Sequence, residues 1–196
     1  MPQIDKDFNE FVYTFERACK SIDRRYFSVK FAGDKRKKIY YKERVYTYEL
    51  YHNLRTLLDN SRYTLTGEMD KSGNSAFPNE LQDKIPDLIV HIPETDSWNL
   101  AVIEVKSTVS FNKGGGLVND LRKLTDFIDK GPHYIGGIEL FFGNCEEMQF
   151  CHKIVDFLNN NPGVSERTKC LVKDGKIRIL FHCAPNSVPK ALEFYC

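Results

Sequence analysis

Apolar residues recur at three- and four-residue spacing in four parts of the chain, a pattern typical of amphipathic helices. The first stripe lies in residues 8–19, and the second predicts a helix over residues 44–59. The third stripe, in residues 117–128, follows three consecutive glycines and ends before a Gly-Pro pair. The fourth stripe lies in residues 148–158, and the sequence NNNPG ends it.

Short apolar runs between these helices predict β-strands. They lie in residues 63–69, 86–91, 100–105 and 134–142. The run LAVIEV at 100–105 is apolar on both faces apart from one glutamate, which is typical of a central strand covered on both sides. Two further runs flank an Asp-Gly turn, in residues 169–173 and 176–182, and predict a β-hairpin.

The order of these elements predicts the fold class. An N-terminal helix is followed by a helix, three strands, a helix, a strand, a helix and a hairpin, and this order predicts a mixed α/β sheet with helices on both faces. The length of 196 residues fits a single domain over residues 1–196. We expect its core in residues 44–142, preceded by the N-terminal helix and a basic segment in residues 1–43. Residues 143–196 form a C-terminal extension.

Charge is balanced over the whole chain but not along it. The net charge is +1, which excludes a globally basic protein that coats nucleic acid. Residues 24–44 depart from this balance, with nine basic residues against two acids. A run such as Lys35-Arg36-Lys37-Lys38 is either a solvated loop or a surface that contacts phosphate, and the charge pattern leaves both interpretations open.

The six cysteines lack the paired spacing of zinc sites. The first residues contain acids and no apolar segment of the kind found in secretory signals. No part of the chain approaches the roughly 20 consecutive apolar residues of a membrane span. We therefore expect a cytoplasmic protein that has no membrane partner and carries reduced thiols.

Two acids and a lysine lie on the adjacent predicted strands 86–91 and 100–105. Because side chains alternate along a strand, Glu104 and Lys106 share one face, and Asp87 lies on the neighbouring strand. Burying ionised side chains is costly unless they pair or bind a cation. Two converging carboxylates beside a lysine therefore predict a site for a hard cation, for which Mg²⁺ is the usual occupant.

These residues resemble the signature of the PD-(D/E)XK nuclease superfamily, which has the restriction-endonuclease-like fold. Pro86-Asp87 is followed, after sixteen residues, by Glu104-Val105-Lys106. The core of that superfamily is a helix, three strands, a helix and a strand, and the predicted elements in residues 44–142 follow this order. The resemblance thus covers about half of the chain. A second acid-x-Lys triplet, Asp174-Gly175-Lys176, lies in the predicted hairpin turn without a partner strand.

The resemblance implies an enzyme, a Mg²⁺-dependent endonuclease or exonuclease in which Mn²⁺ substitutes for Mg²⁺. Asp87, Glu104 and the Val105 backbone carbonyl would hold the ion, and Glu49 on the helix 44–59 would add a further acid. Lys106 would orient the attacking water and stabilise the transition state. The implied partner is nucleic acid, with DNA as the expected substrate, in a restriction, phage-defence or repair context. Many such nucleases form homodimers, so a homodimer is a second implied partner.

Basic residues near the predicted site are expected to contact the phosphate backbone. They are Lys35, Arg36, Lys37, Lys38, Lys113, Arg122 and Lys123. His91 lies four residues beyond Asp87, roughly 13 Å along a strand, and is expected at the rim of the site. Glu68 and Lys71 are rim candidates as well, and a surface pair at a strand end is the alternative interpretation for them.

Two other interpretations of the chain stay open. The first is a non-catalytic module that retains the nuclease fold and binds nucleic acid or protein. It would hold nucleic acid in a salt-dependent way without cleaving it. The second is an α/β domain in which Asp87, Glu104 and Lys106 form only a buried ion-pair network, whose disruption usually costs several kcal/mol of stability.

Overall fold

A computed structural model of the chain describes residues 3–33, 35, 38–68, 78–94, 99–111, 115–144 and 146–192, without the side chains of residues 3–5, 147 and 148. Within these residues the helices are α1 (Gln3–Lys20), α2 (Arg24–Phe27), α3 (Glu43–Leu58), α4 (Asn79–Gln82), α5 (Gly116–Lys130), α6 (Glu147–Asn160) and α7 (Glu166–Lys173). The strands are β1 (Thr64–Gly67), β2 (Leu88–His91), β3 (Ala101–Ser107), β4 (Gly136–Phe142), β5 (Ile177–His182) and β6 (Lys190–Ala191). The four predicted amphipathic helices are therefore confirmed as α1, α3, α5 and α6.

The strands form one six-stranded mixed sheet in the order β1-β2-β3-β4-β5-β6. The pairs β1–β2, β2–β3 and β5–β6 are antiparallel, whereas β3–β4 and β4–β5 are parallel. Each parallel connection contains helices, α5 in the first and α6 and α7 in the second, as parallel pairing requires. The prediction of a mixed α/β sheet is confirmed.

Two apolar layers cover the two faces of the sheet. In one layer Phe15 of α1 and Leu50 of α3 pack with Ile103 of β3. In the other layer Leu121 of α5 packs with Val102 of β3. Neighbouring residues of β3 thus point into opposite layers, as the apolar run predicted. Glu104 and Lys106 consequently lie on the α5 side of the sheet.

The end of the chain differs from the sequence prediction. Residues 169–173 belong to α7 and not to a strand, so the predicted hairpin is wrong. Ser165 caps this helix by accepting a hydrogen bond from the Thr168 backbone N–H, and Gly175 ends it with a left-handed φ of 69°. The antiparallel partner of β5 is β6.

Where the structure describes it, the basic segment contains little regular structure, and one cysteine differs from expectation. Residues 24–44 contain the short helix α2 and an isolated antiparallel bridge between Val29 and Tyr40. Cys19 and Cys170 are reduced thiols as predicted, but Cys183 is disulfide-bonded, so the prediction is wrong for Cys183. Within the described part of the chain, every helix is too short or too polar to span a bilayer.

The close approach of α1 to β4 requires a glycine at position 136. A Cβ atom there would come within 2.7 Å of three ring carbons of Phe8, which is buried. We expect Gly136→Ala to lower the free energy of unfolding by about 1–3 kcal/mol, because the packed ring has to move. Urea unfolding measures this change. Gly33→Ala is the control, since a Cβ at Gly33 meets nothing within 4 Å. Equal stability of both variants would contradict the close packing of Phe8 against Gly136.

Candidate active site

Asp87 directly precedes β2 and is tied to β3 by its side chain. Its Oδ2 accepts a hydrogen bond of 2.7 Å from the Val105 backbone N–H. Because Leu88 pairs with Ile103 in the antiparallel ladder, Asp87 lies opposite Glu104. Burial raises the pKa of Asp87, and the hydrogen bond from Val105 only partly offsets this effect. The structure therefore brings the two predicted acids together.

Glu104 is buried on the α5 side of β3, with 4% of its surface exposed. Its Oε2 accepts a hydrogen bond of 2.9 Å from Lys123 Nζ on α5. Its Oε1 is buried and has no hydrogen-bond partner among the described residues. Burial and then the charge of Asp87 raise the pKa of Glu104 to about 8. Glu104 is therefore mainly protonated at neutral pH when no cation neutralises the cluster.

Lys106 follows on the same face of β3 and forms an ion pair with Asp120 of α5. Burial alone would lower the pKa of Lys106, but the hydrogen bond and the charge of Asp120 outweigh it and raise the pKa. Lys106 is thus a fixed positive charge at neutral pH. It lies two residues from Glu104, on the strand that carries both.

A third acid, Glu139 of β4, lies beside Glu104 in the parallel register of β3 and β4. Glu139 is fully buried, and both of its carboxyl oxygens are without a hydrogen-bond partner in the described part of the protein. Burial, followed by the charges of Asp120 and Glu104, raises its pKa well above the ordinary value. The neutral acid is therefore its stable form in this environment.

The acid that α3 brings to this cluster is Glu43, not Glu49. Glu43 Oε1 accepts hydrogen bonds from the Ser107 backbone N–H at 2.9 Å and from Ser107 Oγ at 3.1 Å, and its charge acts on Asp87. Glu49 lies six residues further, about 240° around the helix axis. Its charge acts on Arg25. The resemblance points to Glu49 because the sequence does not show which turn of α3 meets the end of β3, and the role of Glu49 stays a prediction.

The residues predicted to contact phosphate lie in different environments. Lys35, Lys38 and Arg122 are exposed. Lys123 is partly buried and donates hydrogen bonds to Glu104 and to the Ile85 carbonyl, so it belongs to the acidic cluster. The other candidates lie outside the described residues, namely Arg36, Lys37, Lys113 and the rim residue Lys71.

The remaining rim candidates lie near the edge strand β1. His91 Nε2 is hydrogen-bonded to Thr66 Oγ1 at 3.0 Å, and burial lowers the pKa of His91. Glu68 is exposed and lies 3.8 Å from the Arg44 guanidinium. The Glu68 backbone N–H donates a hydrogen bond of 3.1 Å to the Asp87 carbonyl, so Glu68 lies next to the first acid of the cluster.

Three cluster residues, Glu43, Asp120 and Glu139, were missed by the sequence analysis. Two of them do leave a signal in the sequence. Glu139 interrupts the apolar run of β4, and Asp120 lies on the apolar stripe of α5 between Leu117 and Leu121. An acid within a predicted apolar face is costly to bury without a partner, so each position marks a candidate site.

Asp87 and Glu104 carry oxygen ligands of the type that hard cations prefer. Among the described residues, no group of three or more His, Cys, Asp or Glu side chains is already arranged as a metal site. Oε1 of Glu104 has no hydrogen-bond partner among these residues, so it is available as an oxygen ligand. The negative charge of Asp87 contributes to the raised pKa of Glu104, and a bound cation would offset this repulsion. Asp87 and Glu104 supply the carboxylate oxygens that Mg²⁺ prefers.

Comparison of the chain with family models, curated proteins and solved structures finds no significant match. The chemistry of the site is therefore inferred from its own residues. Five carboxyl groups share the cluster with two lysines. Asp87 also borders a surface cavity, so solvent reaches the cluster from that side. This arrangement places the carboxyl groups of Asp87 and Glu104 next to each other and a positively charged Lys106 on the same strand as Glu104.

Proposed function

We propose that the protein is a metal-dependent nuclease that hydrolyses phosphodiester bonds of nucleic acid, with DNA as the expected substrate. The observation that carries this proposal is the excess of carboxyl groups around Asp87, Glu104 and Lys106 next to a solvent-accessible cavity. The order of α3, β1, β2, β3, α5 and β4, with the four-residue helix α4 inserted between β1 and β2, supports it, because a helix, three strands, a helix and a strand make up the restriction-endonuclease-like core. We therefore also propose that the chain has this core and is similar to the PD-(D/E)XK nucleases.

Asp87, Glu104 and the Val105 backbone carbonyl would hold Mg²⁺ or Mn²⁺, with Glu43 completing the acidic surroundings. When bound, such an ion lowers the pKa of a water molecule and neutralises charge on the phosphate. The chain's own part is to keep the Asp87 carboxyl group, directly before β2, opposite the Glu104 carboxyl group in the middle of β3. The hydrogen bond from Val105 to Asp87 fixes one of them, and Lys123 fixes the other.

Lys106 would act on the phosphate and on the attacking water. Asp120 holds its ammonium group at the α5 side of the cluster and keeps it charged. A fixed cation in a partly buried site stabilises negative charge that develops in the transition state more strongly than the same cation in water. The resemblance implies products with 5′-phosphate and 3′-hydroxyl ends.

A purely structural ion-pair network explains the cluster less well. Such a network would pair its buried oxygens, because each buried polar atom without a partner costs roughly 1–3 kcal/mol. In the described part of the protein, Glu104 Oε1 and both carboxyl oxygens of Glu139 lack a partner. The surplus of acids over lysines favours a site that a cation completes.

The direct test is incubation of the protein with plasmid DNA, single-stranded DNA and RNA in Mg²⁺, Mn²⁺ or EDTA. We expect cleavage of at least one substrate with either ion and none in EDTA. Salt-sensitive retention of nucleic acid without cleavage under any condition would overturn the proposal and favour the non-catalytic binding module.

The two acids of α3 offer a prediction about the site. Glu43→Gln is expected to reduce Mg²⁺-dependent cleavage by about 10- to 100-fold, because Glu43 supports the cluster through Ser107 and through its charge. Glu49→Gln is expected to retain wild-type activity, since Glu49 lies on another side of α3 near Arg25. Initial cleavage rates measure both. The reverse result would show that Glu49 is the acid of α3 that supports cleavage, as the resemblance alone suggests.

A further inference from the structure

A cavity of about 570 Å³ lies between α3 and the strands β1 and β2. Glu43, Arg44 and Tyr48 line it from the helix, and Glu68, Asp87 and Leu88 line it from the sheet. Pockets for small organic ligands measure about 300–1,000 Å³, so this one has the size for a single nucleoside. Asp87 and Glu43 belong to both the cavity and the acidic cluster, which makes the two features neighbours.

We infer that this cavity binds one unpaired nucleotide next to the phosphate that is cleaved, so that the preferred substrate is single-stranded or locally unpaired nucleic acid. This inference rests on the proposed nuclease function and adds the form of its substrate. A base inside a duplex is stacked on both sides, and it enters a side pocket only after it leaves the stack.

The cavity offers the contacts that a free base requires. Tyr48 is a large aromatic residue with 60% of its surface exposed, although it lies on a helix whose other face is buried. Aromatic rings that line a nucleic-acid site stack on unpaired bases of any sequence. Leu88 and the half-buried Tyr51 provide apolar surface on the inner side of the same cavity.

Polar groups lie at the same cavity in positions suited to a nucleotide. The Arg44 guanidinium is exposed and suits a phosphate oxygen, while the Glu68 carboxylate is an acceptor for the N–H groups of a base. The two groups are 3.8 Å apart and exposed, so their pairing is weak and open to a ligand. Glu68 has a left-handed φ of 41°, which is uncommon outside glycine, and its backbone N–H is bonded to the Asp87 carbonyl.

Asp87 connects the cavity to the acidic cluster, because it belongs to both. The cavity lies on the α3 side of the sheet, and Glu104 and Lys106 lie on the α5 side. Asp87 borders the cavity and lies opposite Glu104, so a nucleoside in the cavity would have its phosphate beside Asp87, the acid through which the cavity meets the cluster. The cavity therefore favours nucleic acid that is single-stranded or unpaired at the nucleotide next to the cleaved bond. Duplex DNA would be bound through its backbone alone and would leave the cavity empty.

Binding in EDTA tests this inference separately from cleavage. The probes are a fluorescently labelled single-stranded oligonucleotide and the duplex of the same sequence, with Kd measured by anisotropy. We expect the wild-type protein to bind the single strand more tightly. Tyr48→Ala is expected to weaken single-strand binding by about tenfold and to leave duplex binding unchanged. Tyr48→Phe keeps the ring and is expected to keep the affinity.

Tyr13→Ala is the matched control, since Tyr13 on α1 is 64% exposed and does not line the cavity. Equal Kd values for single strand and duplex, or equal effects of Tyr13→Ala and Tyr48→Ala, would overturn the inference. Absence of cleavage in Mg²⁺ together with Tyr48-dependent single-strand binding would overturn the nuclease proposal alone. Cleavage in Mg²⁺ without any effect of Tyr48→Ala on binding would overturn the cavity assignment alone.

Discussion

Glu104→Gln is expected to reduce Mg²⁺-dependent cleavage by about 1,000-fold and to leave the fold intact. Glutamine has the shape of glutamate but cannot supply a negatively charged oxygen to a divalent ion. Because burial and Asp87 raise the pKa of Glu104 to about 8, the metal-free protein already holds this side chain largely neutral at pH 7. The substitution therefore removes the charge that the cation needs without removing an interaction that the metal-free fold needs.

The stability of the same variant in EDTA separates a metal site from a structural ion pair. A carboxyl group whose pKa is raised by folding binds more protons in the folded state, so its contribution to stability falls as pH rises from about 4.5 to about 8. In EDTA at pH 8, Glu104→Gln is thus expected to be at least as stable as wild type. Strong destabilisation by Glu104→Gln at this pH would instead identify the Lys123–Glu104 pair as a structural ion pair.

Divalent cations provide the second readout for Glu104→Gln. An ion that binds only the folded state raises the free energy of unfolding by about 2.7 kcal/mol when its concentration is 100 times Kd. We expect Mg²⁺ to raise the Tm of wild type and not that of Glu104→Gln. A Tm rise of equal size in both proteins, or cleavage by the variant at the wild-type rate, would contradict the proposed site.

Lys106→Ala is the companion variant, and the same loss of cleavage is expected because Lys106 supplies the fixed cation beside the acids. Its removal leaves the buried Asp120 carboxylate without its ion pair, so this variant is checked for folding by circular dichroism. Lys20→Ala, at an exposed position of α1, is the control. Wild-type activity of Lys106→Ala would exclude the catalytic role of Lys106.

The parts of the fold that the sequence predicts well are those with long periodic patterns. α1, α3 and α5 extend over fifteen residues or more, so several apolar positions define one face. Residues 169–173 are too few for this, because KCLVK fits one strand or about one and a half turns of helix equally well. The Ser165 cap and the left-handed Gly175 decide in favour of α7, and both signals lie outside the segment itself.

The residues of the candidate site also differ in how well the sequence predicts them. Asp87, Glu104 and Lys106 could be grouped because alternation along two strands fixes which side chains share a face. Glu43, Asp120 and Lys123 reach the cluster from helices, and their positions depend on how α3 and α5 rotate against the sheet. A sequence pattern gives the apolar face of a helix but not the turn that meets the end of a given strand.

A second large effect is expected from pH, at a buried histidine on the opposite side of the sheet from Glu104. His182 of β5 has no exposed surface, and its Nδ1 is hydrogen-bonded to the Tyr46 hydroxyl at 2.6 Å. The Phe27 ring lies edge-on to it at 5.0 Å between ring centroids. Burial lowers the pKa of His182 to about 4, and nearby backbone carbonyls of Ser187 and Ala184 offset this only in part.

The direction of the effect follows from proton binding. In the unfolded chain His182 takes up a proton near pH 6.5, but in the folded protein it does so only near pH 4. Between these values the unfolded state holds more protons, so falling pH favours unfolding. We expect the shifted pKa of His182 to lower the free energy of unfolding by about 3 kcal/mol as pH falls from 6.5 to 4.

Glu104 acts in the opposite direction over part of this range, so the two effects have to be separated. The measurement is urea unfolding from pH 7 to pH 4 in EDTA, carried out in the Glu104→Gln background. His182→Gln in the same background keeps a polar side chain near Tyr46 but cannot be protonated. The difference between the two proteins is expected to shrink steadily below pH 6.5. A constant difference would mean that His182 keeps its ordinary pKa, and hence that the contact with Tyr46 and Phe27 is open to water.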